Sequence, residues 1–366
     1  MKIAEIINYL DTVAPPAYQE KYDNCGLLTG SPDLECGGVL VTLDATEAVI
    51  LEAIAKGCNL VVAHHPVIFI GLKKITGSNY VEKAIIAAIR HDIAIYAIHT
   101  NLDNVIHGVN ARMAEKLELT NVRILQPKEA TLKKLHTFVP ADFAEKVRNA
   151  IFEAGGGQIG NYSEASFNSE GTGTFKAGQG ADPFVGEPGK RHHEQEVRIE
   201  IIFPGFLQNQ VIDALSSVHP YEEVAYDIIA LSNLALQTGA GLIGELPESL
   251  NEYDLLKKIK HSFALAVIKH TVLLGRKVKK VALCGGAGSF LIGKALSAGA
   301  DWFITSDVKY HEFFDANDKM VVADIGHFES EQFTVDLLLE FLLKKFPTFA
   351  LRKSETRTNP VRYFLD

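Results

Sequence analysis

Cysteine is scarce in this chain of 366 residues: Cys25, Cys36, Cys58 and Cys284 lie far apart, with no C-x-x-C pair. That spacing argues against a disulfide scaffold and against a structural zinc knuckle. No run approaches the ~20 apolar residues a membrane span requires. The opening MKIAEIINYL lacks the apolar core and small-residue cleavage site of a signal peptide, and reads as an ordinary amphipathic helix. No membrane partner is expected, and the reducing cytoplasm is the expected location. Positive charge is also short, with 36 Lys+Arg against 45 Asp+Glu and a formal charge of -9. A basic stripe able to neutralise phosphates is not expected, so long nucleic acid is not an expected partner. A small anionic substrate stays open, because a metal ion supplies positive charge locally.

What is present is an ordinary globular composition, 47% hydrophobic and 22% charged, in a length that accommodates two or three domains of about 100–200 residues. The first third alternates strand and helix. VLVTLDA reads as a buried strand, TEAVILEAIAKG as a helix ending on Gly57, and NLVVAHHP as a strand stopped by Pro66. VEKAIIAAIRHD is a helix again and IAIYAIHT a third strand. Apolar strands joined by helices predict a parallel sheet covered on both faces.

The last third repeats the theme: VALCGGAG is strand into Gly-rich turn, SFLIGKALSAGA helix, DWFITSD strand and MVVADIG strand. A long helix is expected from near His327 through FTVDLLLEFLLKKF. Setting EAIAKGCNLVVAHH over KALSAGADWFITSD aligns Gly57 with Gly299, and His64 and His65 with Ser306 and Asp307. One strand later, HTNLD (His99 to Asp103) matches HFESE (His327 to Glu331), a histidine followed four residues on by a carboxylate. The register points to an internal duplication that brings both halves to one cleft.

Between the halves the pattern changes. KLHTFVP, EVRIEIIFP and EEVAYDIIAL read as strands, and ADFAEKVRNAIFEAGG and GFLQNQVIDALSSV as helices. Within the Gly/Ser/Thr-rich reach from Gly155 to Gly189, hairpins are expected, with NYSEASF and GTGTFKA as short strands and a mobile turn near Pro183–Gly189. The expected fold is α/β: duplicated halves with parallel-rich sheets form one host domain, residues 1–128 and 234–366, and residues 129–233 form an inserted ferredoxin-like α+β domain.

His64 and His65 are adjacent at the carboxyl end of a buried strand. Neighbours on a strand share a target only where the strand ends and the chain turns, and the carboxyl ends of parallel strands are where ligands bind. Asp103 lies just past another strand end. His327 and Glu331 fall where a strand gives way to a helix, and their i, i+4 spacing puts them on one face. These five form a nitrogen/oxygen donor set without thiolate, suited to zinc, manganese, iron or nickel and unsuited to calcium. A carboxylate bridges two ions ~3.5–4 Å apart in two-metal enzymes, and Glu331 is the expected bridge.

His99, Ser306, Asp307, Tyr310 and His311 stand near equivalent strand ends. His99 and His311 are the candidate catalytic residues; His99 either orients Asp103, donates a proton, or is simply buried structure. The turn CGGAGS, Cys284 to Ser289, is a tight structural turn or a phosphate cradle at a helix N-terminus, but it is neither a Walker A sequence nor a full G-x-G-x-x-G. Asn24 and Cys25 in DNCGLLTG are placed near the cleft. HPYEEVAYD reads as a strand start or subunit contact, and RHHEQE as a solvated hairpin end.

Together, DNCGLLTG, VTLDAT, VVAHHP, HTNLDN, CGGAGS, SDVKYHEF and DIGHFESE resemble the Nif-three-like family, whose members carry the label GTP cyclohydrolase 1 type 2 homolog. NYSEASFNSEGTGTFK and HPYEEVAYD resemble that family's CutA/PII-like insertion. The resemblance implies a homohexameric toroid of stacked trimers, with two divalent ions per subunit facing the interior and the inserted domains capping the openings. It carries the metal ligands onto His64, His65, Asp103, His327 and Glu331. Ser306 departs from it, standing where glycine is usual.

The expected function is a dinuclear metal-dependent hydrolase, in which a metal-bound hydroxide attacks a small nucleotide-like or phosphorylated substrate. GTP ring opening is one candidate within that class. The alternative is a non-catalytic metal-binding hexameric ring with a regulatory or partner-binding role.

Overall fold

Residues alternate faces along the strand Val39–Asp44, and both faces are buried: Val39, Val41 and Leu43 join one apolar cluster, Leu40 another. A strand with no wet face needs helices on both sides. The computed structural model, which describes residues 1–129 and 131–364, supplies them. Ile3–Val13 and Thr334–Lys345 cover one face of this sheet, and Glu47–Ala55 and Tyr80–Arg90 the other. The chain divides into two compact units, residues 1–126 with 237–366, and residues 127–236.

The larger unit holds two sheets. One runs in the order Gly26–Thr29, Ala94–Ala97, Leu60–His65, Val39–Asp44, Leu351–Lys353, parallel except for the antiparallel edge Gly26–Thr29. The other runs Lys269–His270, Val321–Asp324, Trp302–Ser306, Lys277–Ala287, Ala235–Asn251, Thr120–Lys128. Its centre is parallel, and Lys269–His270 is again an antiparallel edge. Each sheet thus has three parallel strands consecutive in its half of the chain, with an antiparallel edge strand beside the third, and Leu351–Lys353 adds a fourth parallel strand to the first sheet. The mixed α/β layout with parallel-rich sheets is the one the sequence predicts.

Local signals agree with the boundaries. Thr46 and Asn79 accept the backbone N–H groups of Val49 and Glu82 and so cap their helices. Gly57 and Gly299, aligned in the two halves, both take the left-handed conformation just past a helix, at φ 68° and 70°. That conformation satisfies the end of the helix at little steric cost only for glycine. The helix expected from His327 is broken: His327–Glu331 is a short turn, and Thr334–Lys345 begins after it.

The smaller unit has the order Leu132–Pro140, helix Ala144–Glu153, Phe167–Lys176, Arg191–Pro204, helix Gln208–Val218, Tyr226–Ala230. Its four-stranded sheet is antiparallel throughout, and Leu135, Ile199, Ile201 and Phe203 pack beneath Val147, Ile151, Val211 and Leu215 of the helices. The sequence expectation of two short strands in NYSEASF and GTGTFKA is corrected here. A single strand, Phe167–Lys176, pairs with the whole first part of Arg191–Pro204, and RHHEQE opens that partner strand. Residues 159–162 form only a bridged turn. Continuous pairing with a neighbour decides strand extent where glycine and serine give little local preference.

Trp302, fully buried at the start of a central strand, is the largest core side chain and the sole tryptophan. Its indole N–H has no acceptor among the described residues. Trp302→Ala is expected to lose roughly 3–5 kcal/mol of stability, read by circular dichroism in urea, whereas Trp302→Phe, which removes that unsatisfied donor, loses distinctly less. Equal losses would contradict this packing.

Candidate metal centre

The strand Leu60–His65 ends at the imidazole pair, and the two rings converge with centroids 4.9 Å apart. Asp103 closes the helical turn Thr100–Asp103, and His327 and Glu331 open and close another. All five side chains meet. Glu331, 2% exposed, stands between two groups of donors: its Oε2 lies 2.9 Å from His65 Nε2 and 3.1 Å from His327 Nε2. Its Oε1 lies 3.9 Å from His64 Nε2, which is 3.7 Å from Asp103 Oδ1.

Every imidazole is held from behind. His64 Nδ1 donates to the Ile98 carbonyl at 2.8 Å, His65 Nδ1 to Asp44 at 2.7 Å, His327 Nδ1 to Asp307 at 2.6 Å and His99 Nδ1 to Asp23 at 2.8 Å. These partners only accept, so each Nδ1 carries the proton and each Nε2 is left to the centre. Asp307 serves from a left-handed backbone at φ 54°, a strained state that accumulates at functional sites.

The donor set fits a metal. Among the described residues, His64 Nε2 and Asp103 Oδ1 are buried atoms with no hydrogen-bond partner, which is costly unless something else satisfies them. His65 Nε2 and His327 Nε2 face each other at 3.3 Å. Two nitrogens whose other ring positions are protonated attract only through an intervening proton or cation. The ligand atoms of His65, His327 and Glu331, and those of His64, His65 and His99, lie within 4.8 Å of one another.

Electrostatics carries the same message. Burial works against charge on His65, but the Glu331 charge and the Asp44 hydrogen bond outweigh it and raise the imidazole to about 10. Burial is likewise overcome at His327 by Glu331 and Asp307, to about 11. Glu331 is pushed up by burial and pulled further down by the two imidazoles, ending well below the usual carboxylate range. Burial raises Asp103 to about 7, with Glu331 adding to it and His99 opposing it. In the metal-free site protons supply the positive charge that these carboxylates demand.

His99 joins the cluster, 5.2 Å from the His64 ring and 5.3 Å from that of His65. Asp23 behind it is enclosed, accepting also from Thr100 and Cys25. Cys25 is a donor to Asp23 and Asn101, its thiol pushed by burial and then by Asp23 up to about 12, so it is inert structure. Asn24 turns away to the Ile68 carbonyl. His311 is exposed in the 3-10 helix Tyr310–Ala316, packed on Tyr310 and Phe314, and it is not among the residues gathered around Glu331. Ser306 is buried.

The Gly-rich turn has a different job from the phosphate cradle entertained for it. The amides of Gly285 and Gly286 are already taken by Asn110 Oδ1 and Ser330 Oγ, at 2.9 and 3.0 Å. Gly286 has φ 64°, and a Cβ there would overlap Glu331 Oε1. The glycine makes room for the carboxylate.

A model of the Duf34/NIF3 (NGG1p interacting factor 3) family matches residues 1–360. The chain belongs to this family. The GTP cyclohydrolase 1 type 2 homolog of Bacillus subtilis (strain 168) is 38% identical over 372 residues, covering 98% of each chain. Its namesake from Halalkalibacterium halodurans is 40% identical over 332 residues, covering 89% of each. A solved Bacillus cereus protein related to NIF3 superposes with a TM-score of 0.86 at 38% identity, covering 100% of this chain and 99% of that one. A Staphylococcus aureus structure gives 0.78 at 29% identity with the same coverage.

Within this Duf34/NIF3 chain, sequence reasoning missed Asp23 and Asp44 as partners of His99 and His65. Asp44 had a readable signal: it ends the strand next to Leu60–His65 and pairs with His65 in register. Asp23 had none, since its approach to His99 depends on a loop fold.

Two outcomes follow. Gly286→Ala is expected to displace Glu331 and abolish tight zinc binding, measured by competition with a chelator, while circular dichroism stays native; wild-type affinity would refute the close approach. In the metal-free protein, the raised imidazoles contribute stability that is full below about pH 6.5 and fades as pH climbs through about 10 and 11. Melting temperatures with EDTA should therefore fall across that window, and less steeply in His65→Gln.

Proposed function

We propose that this chain holds two divalent ions, one on each side of Glu331, and acts as a metal-dependent hydrolase on a small nucleotide-like or phosphorylated substrate. The observation that carries it is the pair of partnerless buried atoms, His64 Nε2 and Asp103 Oδ1, 3.7 Å apart, the first 3.9 Å from one oxygen of a carboxylate whose other oxygen serves His65 and His327. On this reading His64, Asp103 and Glu331 would hold one ion, and His65, His327 and Glu331 the other. Zinc, manganese, iron and nickel suit the nitrogen/oxygen set. Bound there, such a pair supplies Lewis-acid polarisation of a carbonyl or phosphoryl oxygen and activation of water.

The remaining residues have definite parts in this proposal. Asp23 orients His99 so that its Nε2 is free to move a proton at the cluster's edge. Phe69 lies beside His99 with Tyr22 next to it, ring centroids 6.3 Å apart in both pairs, and both are exposed. They offer planar surface on which a base can stack. The names of the Bacillus subtilis and Halalkalibacterium halodurans relatives, GTP cyclohydrolase 1 type 2 homolog, support a nucleotide-like substrate. His311 is retained as a second candidate proton carrier, on its place beyond the strand Trp302–Ser306. The β-α-β-β-α-β order of residues 127–236 supports a ferredoxin-like, CutA/PII-like insertion, and we take the working form to be a cytoplasmic homohexamer.

Metal-loaded protein is expected to turn over at least one member of a panel of nucleotides, phosphoesters and cyclic amides. The His65→Ala/Glu331→Ala variant and EDTA-treated protein should be inactive, with rates down at least ~100-fold. A hexamer that binds metal stoichiometrically yet turns over nothing would replace this reading with that of a metal-binding ring.

A further inference from the structure

The last described stretch of the chain touches the candidate centre from behind, and it does so on both halves. After the edge strand Leu351–Lys353, the chain is pinned to Glu52: Ser354 Oγ and Thr356 Oγ1 donate at 2.6 Å each, and the Glu355 and Thr356 amides at 2.8 and 3.2 Å. Three consecutive residues then reach toward the ligands. Arg357 lies over the Phe328 ring, 5.9 Å from its centroid. Thr358 Oγ1 donates to Asp44 Oδ2, the free oxygen of the carboxylate whose Oδ1 holds His65. Asn359 Nδ2 donates to Glu329 Oε1 at 3.0 Å.

Phe328 and Glu329 belong to His327–Glu331, the turn that carries two of the proposed ligands. Asn359 is 2% exposed and Glu329 8%, so their bond is shielded from water. Asn359 Oδ1 accepts from the Val361 amide at 2.9 Å, which fixes the orientation of the side-chain amide. On the other side of Glu329 stands Gly326, where a Cβ would overlap Glu329 Oε2 and approach the Tyr363 hydroxyl to 3.2 Å. The tail and Gly326 therefore enclose Glu329 between them.

We propose that residues 354–363 form a clamp that sets the spacing between ligands of the two halves, with Thr358 and Asn359 as positioning residues. Thr358 fixes Asp44, and through it the orientation of His65 on the first half. Asn359 fixes Glu329, and through it the turn bearing His327 and Glu331 on the second. Adjacent residues of one segment move together, so a shift of either half relative to the other strains one of the two bonds. Partners beyond the ligands govern metal affinity because they set ligand geometry before the ion arrives. The inference rests on the two-metal reading only for its consequence, since the clamp is a property of the protein alone.

The test uses the full chain and zinc as probe. Thr358→Val, which keeps the side-chain shape and removes the hydroxyl, is expected to weaken zinc binding about 10-fold in chelator competition, and Thr358→Ser to restore it. Separately, in EDTA-treated protein, Asn359→Ala is expected to raise amide hydrogen exchange in residues 327–331 while the strands Leu60–His65 and Trp302–Ser306 keep their protection. Wild-type zinc affinity in Thr358→Val, or unchanged exchange at 327–331 in Asn359→Ala, overturns the clamp. Absence of zinc binding by the wild-type protein, with the exchange effect intact, sinks the metal reading and leaves the clamp standing.

Discussion

A carboxylate removed from water loses hydration worth on the order of several kcal/mol, and it stays ionised only if positive charge is brought to it. Glu331 is such a group: nearly sealed, with both oxygens directed at imidazole nitrogens. Much of the architecture follows from meeting that requirement. His65 and His327 come from different halves because one strand end cannot place three nitrogens around one carboxylate. Gly286 lacks a side chain because the carboxylate occupies the space a Cβ would fill. Ser330 and Asn110 hold the glycine turn in place, and Asn110 also binds the Asp103 carbonyl at 3.0 Å, linking the turn to the opposite half.

The repeated topology of the two sheets makes this convergence easy. In each half three parallel strands end side by side, and the chain leaves the third strand through a turn that begins with a histidine and ends with a carboxylate. The two halves differ in what the second strand delivers. One gives His64 and His65; the other gives Ser306 and Asp307, and Asp307 is the partner of His327. The third-strand histidines differ as well: His327 points at Glu331, whereas His99 stands at the cluster's edge with Asp23 behind it. A repeated topology thus frames one asymmetric cluster, with candidate ligands on both halves and a candidate proton carrier on one.

How much of this was legible depended on whether a residue's role was set locally or at a distance. The parallel sheets were readable in the apolar runs of VLVTLD and LVVAHH, because strands buried on both faces have no polar alternation. The convergence of His64, His65, Asp103, His327 and Glu331 was readable because strand ends and matched i, i+4 pairs are local signals repeated in register. The extent of Phe167–Lys176 was not, since its glycines and threonines take their conformation from the partner strand. Asp23, Thr358 and Asn359 carried no signal of either period. Each acts across a large sequence separation, 76 residues for Asp23 to His99 and 314 for Thr358 to Asp44, and only the folded chain brings them into range.

The arrangement also bears on how the two halves stay together. The cluster gathers the carboxylates of Asp44, Asp307 and Glu331 where the halves meet, with Asp103 raised to about 7 beside them, and in the absence of cations protons on His65 and His327 offset part of that charge. That offset weakens as pH rises, so without a cation the same groups push the halves apart. Contacts independent of charge must then carry the junction. The helix Thr334–Lys345 does this by packing Val335, Leu338 and Leu342, residues that follow the second half's ligands, into the first sheet's core beside Ile3, Ile6 and Leu10. Apolar burial of that kind is indifferent to pH, whereas metal binding to a native site stabilises in proportion to the logarithm of free metal. The protein therefore has a junction whose apolar packing does not depend on the site being filled, and an ion held by the native cluster would tighten it further.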